Sequence, residues 1–309
     1  MKLRRIDSLD YGLIIEDFVL AQASCRDIDI IKENIYSEKI VVLKNQKLTS
    51  REFVEFGRKL GVVIEYYESM YHHREEKEIF VSSNIKTKVT DQVNDNHTVE
   101  GVPGTGAFWH SDYAFMQKPF AFTMTYPQVI PNERGTYFID MADAYNQLSS
   151  EQKELFNKAT CKHSVCKYFK IRPQDVYKPI GAILKEIEQN TPVVTHPAVI
   201  THPVTQEKIL YISDGFTLSM SGPLQGIDYA EALQQGLKAS GQLDSSYSHP
   251  NIKFLEMQQN DIIIWDNRRF VHHAKHSKVN VPTKTYRLTI YDEFPFSQKN
   301  NINEAIHCE

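Results

Sequence analysis

The sequence predicts a mainly β fold with inserted helices, two sheets closing on one another as a barrel or jelly roll. Three observations carry that expectation. Strand-like apolar runs recur at 121–126, 136–140, 193–201, 208–213, 261–265 and 284–291, and strands dominate the second half. Helical stretches at about 149–159, 173–188 and 228–239 fall between these runs as insertions, without the regular alternation of a parallel α/β sheet. The chain has 309 residues, no internal repeat and no low-complexity tract. That suits one domain over 1–309 whose core needs neither disulfides nor a structural metal.

The elements follow in order. The chain starts MKLRRIDSLDYGLIIEDF, where Asp7 and Asp10 interrupt any apolar run, so this stretch reads as neither a signal peptide nor a membrane span. Residues 38–43 (EKIVVL) read as a buried strand. Thr49 or Ser50 can then cap a helix that runs to about Leu60, with Phe53, Phe56 and Leu60 on one apolar face and Gly61 as its stop. Residues 78–83 (EIFVSS) read as another strand. Residues 86–106 are polar and rich in Asn, Asp, Thr and Gly, and read as a long loop of the kind that serves as a lid or binding segment.

Composition excludes some classes. The formal net charge is −4, and no basic patch suggests a nucleic-acid partner. Cys25, Cys161, Cys166 and Cys308 make no paired C-x2-C pattern, so they read as reduced thiols of a cytoplasmic protein rather than zinc ligands. The sequence leaves the oligomeric state open.

Two segments carry metal chemistry. In FWHSDYAF (108–115), His110 and Asp112 are two apart, a spacing that puts both on one face of a strand. A neutral imidazole and a carboxylate belong to the 2-His-1-carboxylate site of non-haem Fe(II) oxygenases. Alone, H-x-D is short enough to arise often by chance, as a hydrogen-bonded core or surface pair. In DIIIWDNRRFVHHAKH (261–276), a buried strand meets the turn residues Asp266 and Asn267, then His272 and His273. Those two histidines would face opposite ways, so only one can join the ion; either could equally be a core histidine.

Several separated segments, in order, resemble the TauD/TfdA-like Fe(II)/2-oxoglutarate dioxygenases. They are 41–61 (VVLKNQKLTSREFVEFGRKLG), 109–112 (WHSD), Gly135-Thr136, 196–208 (HPAVITHPVTQEK) and 265–274 (WDNRRFVHHA), with Arg287 fifteen residues beyond His272. Together they span nearly the whole chain. The resemblance implies a double-stranded β-helix, Fe(II) held by His110, Asp112 and His272, and 2-oxoglutarate and O2 as co-substrates. It selects His272 over His273 because the family histidine stands two residues before the alanine, here Ala274. His196 and His202 fall in the family's His-Pro stretch and are read as structural. Arg287 is the residue that the family register assigns to the distal carboxylate of 2-oxoglutarate, a task for which the planar guanidinium is suited. Thr136 would add a hydroxyl hydrogen bond to it. Arg134 would bind either 2-oxoglutarate or an acidic substrate, or else be a loop arginine beside Glu133.

The substrate is read from shorter clusters. Tyr66, Tyr67 and Tyr71 lie in YYESMY, Lys170 and Arg172 in FKIR on a possible strand, and His276 four residues after His272. Phenols, cations and an imidazole suit a small-molecule carboxylate. The set is similar to the isonitrile-forming branch of the family, which implies oxidative decarboxylation of an N-carboxymethyl 3-amino acid to a 3-isonitrile acid. The alternative is hydroxylation of another small carboxylate, sulfonate or amino acid. A metal-binding scaffold or a zinc hydrolase would need no arginine for a co-substrate.

Overall fold

Every residue of the run Ile262-Ile263-Ile264-Trp265 is buried, which a strand allows only when both its faces are covered. In the computed structural model, which describes residues 1–88, 97–99, 101–171, 175–276 and 281–297, the strand Ile262–Asp266 lies inside an eight-stranded sheet. The order is Lys2–Arg5, Leu13–Glu16, Ile40–Leu43, Ile262–Asp266, Phe122–Val129, Lys284–Tyr291 and Val62–Val63, and Phe80–Ser83 also pairs with Lys284–Tyr291. The pairs are antiparallel except Leu13–Glu16 with Ile40–Leu43. That parallel pair needs a crossover, and the helix Cys25–Glu38 supplies it.

Alternation then sorts the side chains. Ile262 and Ile264 join Val41, Leu43, Met124 and Leu288 in a core under the helices Cys25–Glu38 and Ser50–Leu60. Ile263 and Trp265 face the other way and pack on Phe138, Leu255 and Phe270. Those three come from a second, antiparallel sheet of Lys253–Glu256, Gly135–Asp140 and Phe270–Lys275. Each such buried aliphatic side chain stabilises the fold by roughly 1.5–3 kcal/mol. A further three-stranded sheet (Val194–Pro197, Thr160–His163, Thr217–Ser221) and the hairpin Val199–Thr201 with Lys208–Leu210 form, with the helices Met141–Asn146, Ser150–Lys158 and Tyr229–Ser240, a third core.

The helix after Thr49 forms as the sequence predicts. Thr49 accepts from Glu52 N, Glu52 returns to Thr49 N, and Gly61 N closes on Gly57 O. Other elements differ. The stretch 193–201 makes two strands because Ala198 changes partners, its N–H going to Ala159 O and its carbonyl accepting from Tyr211 N. The helix expected over 173–188 begins only at Ile180, since Pro179 disfavours helical backbone at Lys178. Within 86–106 the described backbone forms a short hairpin, Lys86–Lys88 with His97–Val99, where a loop is expected. A two-strand polar hairpin leaves no apolar periodicity to read. The helix Cys25–Glu38 carries a readable signal that the sequence reading passed over, the capping box of Ser24 and Asp27. The described cysteines, Cys25, Cys161 and Cys166, are free thiols, and Cys308 lies outside the described residues. Among the described residues no helix is long and apolar enough to cross a membrane.

Candidate active site

The i, i+2 spacing predicts a strand for His110 and Asp112, but the backbone does otherwise. His110 forms an isolated bridge with His272, exchanging His110 N to His272 O at 3.1 Å and His272 N to His110 O at 2.8 Å. Asp112 then opens a turn in which Tyr113 has φ 61°. A ladder would need a strand opposite Asp112; instead Asp112 N donates to the side-chain oxygen of Asn267 at 2.8 Å. The expected convergence survives by a different route. His110, Asp112 and His272 are all buried and offer ligand atoms within 4.8 Å of one another. Asp112 lies 3.6 Å from His110 Nε2 through Oδ1 and 3.8 Å from His272 Nε2 through Oδ2.

Hydrogen bonds and burial set the protonation states. His110 Nδ1 is 2.8 Å from Phe108 O; a carbonyl only accepts, so Nδ1 is the donor there and Nε2 is the nitrogen turned toward Asp112. Burial, and then His110 beside it, pushes the His272 pKa well down, so its imidazole is neutral and free to ligate. Burial alone would raise the Asp112 carboxyl, but the Arg287 guanidinium 2.7 Å away holds it well below the usual carboxylate range. His273 faces the opposite side of its strand, as alternation requires, with Nε2 3.0 Å from Tyr247 Oη. His202 pairs with Asp266 at 2.7 Å and His196 meets Met116 O at 2.9 Å, both structural contacts.

The cluster opens on a cavity of about 150 Å3 between the sheets. Arg287, Arg134, Thr136, Tyr66, Tyr71 and Lys170 all line it. Arg287 is already engaged. Its Nη1 donates to Asp112 Oδ1 at 2.7 Å, and its Cζ stands 4.0 Å from the centroid of Phe80, its cross-strand partner. Tyr71 stacks on Phe80, ring centroids 4.5 Å apart at 17°. Arg134 is different: it is 8% exposed and among the described residues has no carboxylate partner, and burial alone pulls its pKa down. Lys170 is not on a strand as FKIR suggests; its Nζ donates to Gly104 O at 3.0 Å and Pro103 O at 3.3 Å. It also lines a neighbouring cavity, which is where Tyr67 faces. His276 is not among the side chains lining either cavity; its Nε2 meets Thr105 O at 2.8 Å. Arg172 lies outside the described residues.

The sequence reading missed part of the wall. Thr125 Oγ1 and Trp265 Nε1 line the cavity and, like Nε of the expected Arg287, are buried and have no hydrogen-bond partner among the described residues. Beside the buried Arg134 cation they make a set of donors that an anionic acceptor would satisfy. Thr125 had a signal: it alternates with apolar residues in a buried strand, FTMTYP. Phe108 and Tyr168, stacked at 4.1 Å and 7°, cover His110 and left no sequence signal. Gly106 explains the close approach on that side. It has φ +70°, and a Cβ there would stand 3.2 Å from His110 Cε1. Two imidazoles, one ionised carboxylate and a wall that carries donors fit a ferrous ion with a dicarboxylate co-substrate.

Comparison with known proteins points the same way. The chain is 24% identical over 292 residues to the alpha-ketoglutarate-dependent 2,4-dichlorophenoxyacetate dioxygenase of Cupriavidus pinatubonensis, covering 90% of this chain and 94% of that protein. It is 23% identical over 305 residues to an alpha-ketoglutarate-dependent sulfonate dioxygenase of Saccharomyces cerevisiae, covering 95% and 68%. A taurine dioxygenase structure from Burkholderia xenovorans superposes with a TM-score of 0.70 at 19% identity, covering 95% of this chain and 92% of that one, which shows the fold. The model of the taurine catabolism dioxygenase TauD, TfdA family matches residues 9–288, and the chain belongs to that family of alpha-ketoglutarate-dependent dioxygenases.

Proposed function

We propose that the protein hydroxylates a small organic anion of the sulfonate or aryloxyalkanoate kind, with His110, Asp112 and His272 holding Fe(II). The observation that carries this is a buried His/Asp/His cluster facing a cavity whose wall holds cations and unsatisfied donors. The names of the relatives support the substrate class. A ferrous ion there would supply O2 activation coupled to oxidation of 2-oxoglutarate to succinate and CO2. The chain's own residues do the rest. Arg134 and Thr136 donate to one carboxylate of the co-substrate, since Arg134 has no carboxylate partner among the described residues. Arg287 keeps Asp112 ionised and oriented. Lys170, at the junction of the two cavities, takes the anionic group of the substrate. The stacked rings of Phe108 and Tyr168 limit water at the cluster.

A second reading keeps the cavity and changes the substrate to an N-carboxymethyl 3-amino acid oxidised to an isonitrile. Tyr66, Tyr71 and Lys170 on one wall favour it. One assay separates the two. The protein is supplied with Fe(II), 2-oxoglutarate and O2 and offered alkylsulfonates, phenoxyacetates and N-carboxymethyl 3-aminoalkanoates. Succinate coupled to a product one oxygen heavier supports hydroxylation. Succinate in twofold excess over an isonitrile supports the second reading. No stimulation of succinate release by any of these anions would overturn both.

A further inference from the structure

A carboxylate does not orient itself. The terminal torsion of Asp is broad, so a ligand aspartate needs partners on its oxygens to present one of them in a fixed direction. Asp112 has such partners on both. Arg287 Nη1 takes Oδ1, and Thr123 Oγ1 donates to Oδ2 at 2.8 Å. Thr123 is fully buried near the start of the strand Phe122–Val129, paired on one side with Trp265 and on the other with Thr289, so the backbone that carries its hydroxyl is held between two neighbouring strands.

The backbone under Asp112 raises the same demand. Tyr113, an aromatic residue, sits at φ 61°, a conformation that persists only where the surroundings over-determine it. Asn267 provides that restraint. Its Oδ1 accepts from Asp112 N at 2.8 Å, and its Nδ2 donates to Asp112 O at 2.8 Å and Phe120 O at 3.1 Å. Both amide donors are used, and its own N–H is fixed to Ala121 O at 2.7 Å. The side chain is fully buried and follows directly on the central strand. It brackets the peptide of the candidate ligand from both ends.

We propose that Thr123 and Asn267 are positioning residues of the metal centre, the first orienting the Asp112 carboxylate and the second fixing the turn that carries it. The inference rests on Asp112 being a ligand, and the test separates the two claims. Apoprotein is titrated anaerobically with Mn(II), following the loss of the free-ion EPR signal, so that no turnover is needed. Thr123→Val, nearly isosteric, weakens Mn(II) binding by about 10- to 100-fold, the usual cost of losing such a partner. Thr123→Ser, which keeps the hydroxyl, restores it to within about threefold. Asn267→Asp, which sets a carboxylate oxygen against two carbonyls, weakens it at least as much as Thr123→Val and carries the readout if the valine variant does not fold. Mn(II) binding by Thr123→Val within about twofold of the parent, or Thr123→Ser as weak as Thr123→Val, would overturn the positioning role. Asp112→Ala with undiminished Mn(II) binding would instead overturn the ligand assignment beneath it.

Discussion

Removing Arg134 separates function from stability in a direction that the structure sets. Arg134 is a buried cation with no carboxylate partner among the described residues, and burial lowers its pKa, so the apoprotein carries an unrelieved desolvation cost at this position. Arg134→Met keeps most of the side-chain volume and removes the charge. The apoprotein should melt at the same temperature or slightly higher. The co-substrate, by contrast, would lose the charged partner of a buried carboxylate, a loss of roughly 3–5 kcal/mol, or about two to three and a half powers of ten in affinity. Arg287→Leu should behave in the opposite way. It strips Asp112 of the partner at 2.7 Å and leaves a buried carboxylate exposed to its own desolvation, so the apoprotein should lose stability as well as metal affinity. The assay is an anaerobic Fe(II) and 2-oxoglutarate titration followed by visible absorbance, beside a melting curve of the metal-free protein. If Arg134→Met binds 2-oxoglutarate as tightly as the parent, or unfolds several degrees earlier, Arg134 is a structural cation and the reasoning fails.

Three further outcomes are expected. His272→Ala should abolish metal binding, whereas His273→Ala, which loses contacts with Tyr247, Trp109 and Tyr137 on the other side of the strand, should retain it; the reverse pattern would place the register one residue off. Lys170→Ala should keep Fe(II) and 2-oxoglutarate binding but release succinate without coupled product, because among the described residues its Nζ hydrogen-bonds only the Pro103 and Gly104 carbonyls; coupled turnover at the parental rate would remove it from the substrate site. Burial works to raise the Glu207 carboxyl, yet its ion pair with Arg269 draws it from 4.5 down to about 2. A depressed carboxylate stabilises the fold above its unfolded value and ceases to as pH falls through the folded one. Glu207→Gln should therefore be less stable than the parent at neutral pH, with the difference closing between pH 4.5 and 2 in a urea-unfolding series.

Much of this protein is legible along the chain because the signals are local. The helix Ser50–Leu60 is fixed by Thr49, an apolar spacing and Gly61, all within a dozen residues. The strand Ile262–Asp266 announces its two buried faces by an unbroken apolar run. The opposition of His272 and His273 follows from the period of a strand alone. These are properties of a few consecutive residues and elementary geometry. The family register added what no local pattern decides, the pairing of His110 and Asp112 with a histidine 160 residues away.

What only the tertiary structure decided lies where distant segments meet. His110 and Asp112 converge without a strand because Asn267 reaches across to replace the missing ladder. Arg287 is committed to Asp112 and Phe80, while Arg134, just before another strand, has no carboxylate partner among the described residues. Thr123, Thr125 and Trp265 become part of the site only when two sheets stack. His276 has the right spacing and yet meets a backbone carbonyl outside the cavity. None of these outcomes is encoded by neighbouring residues: each depends on which hydrogen-bonding groups remain unsatisfied once the sheets have packed, and that tally exists only in three dimensions.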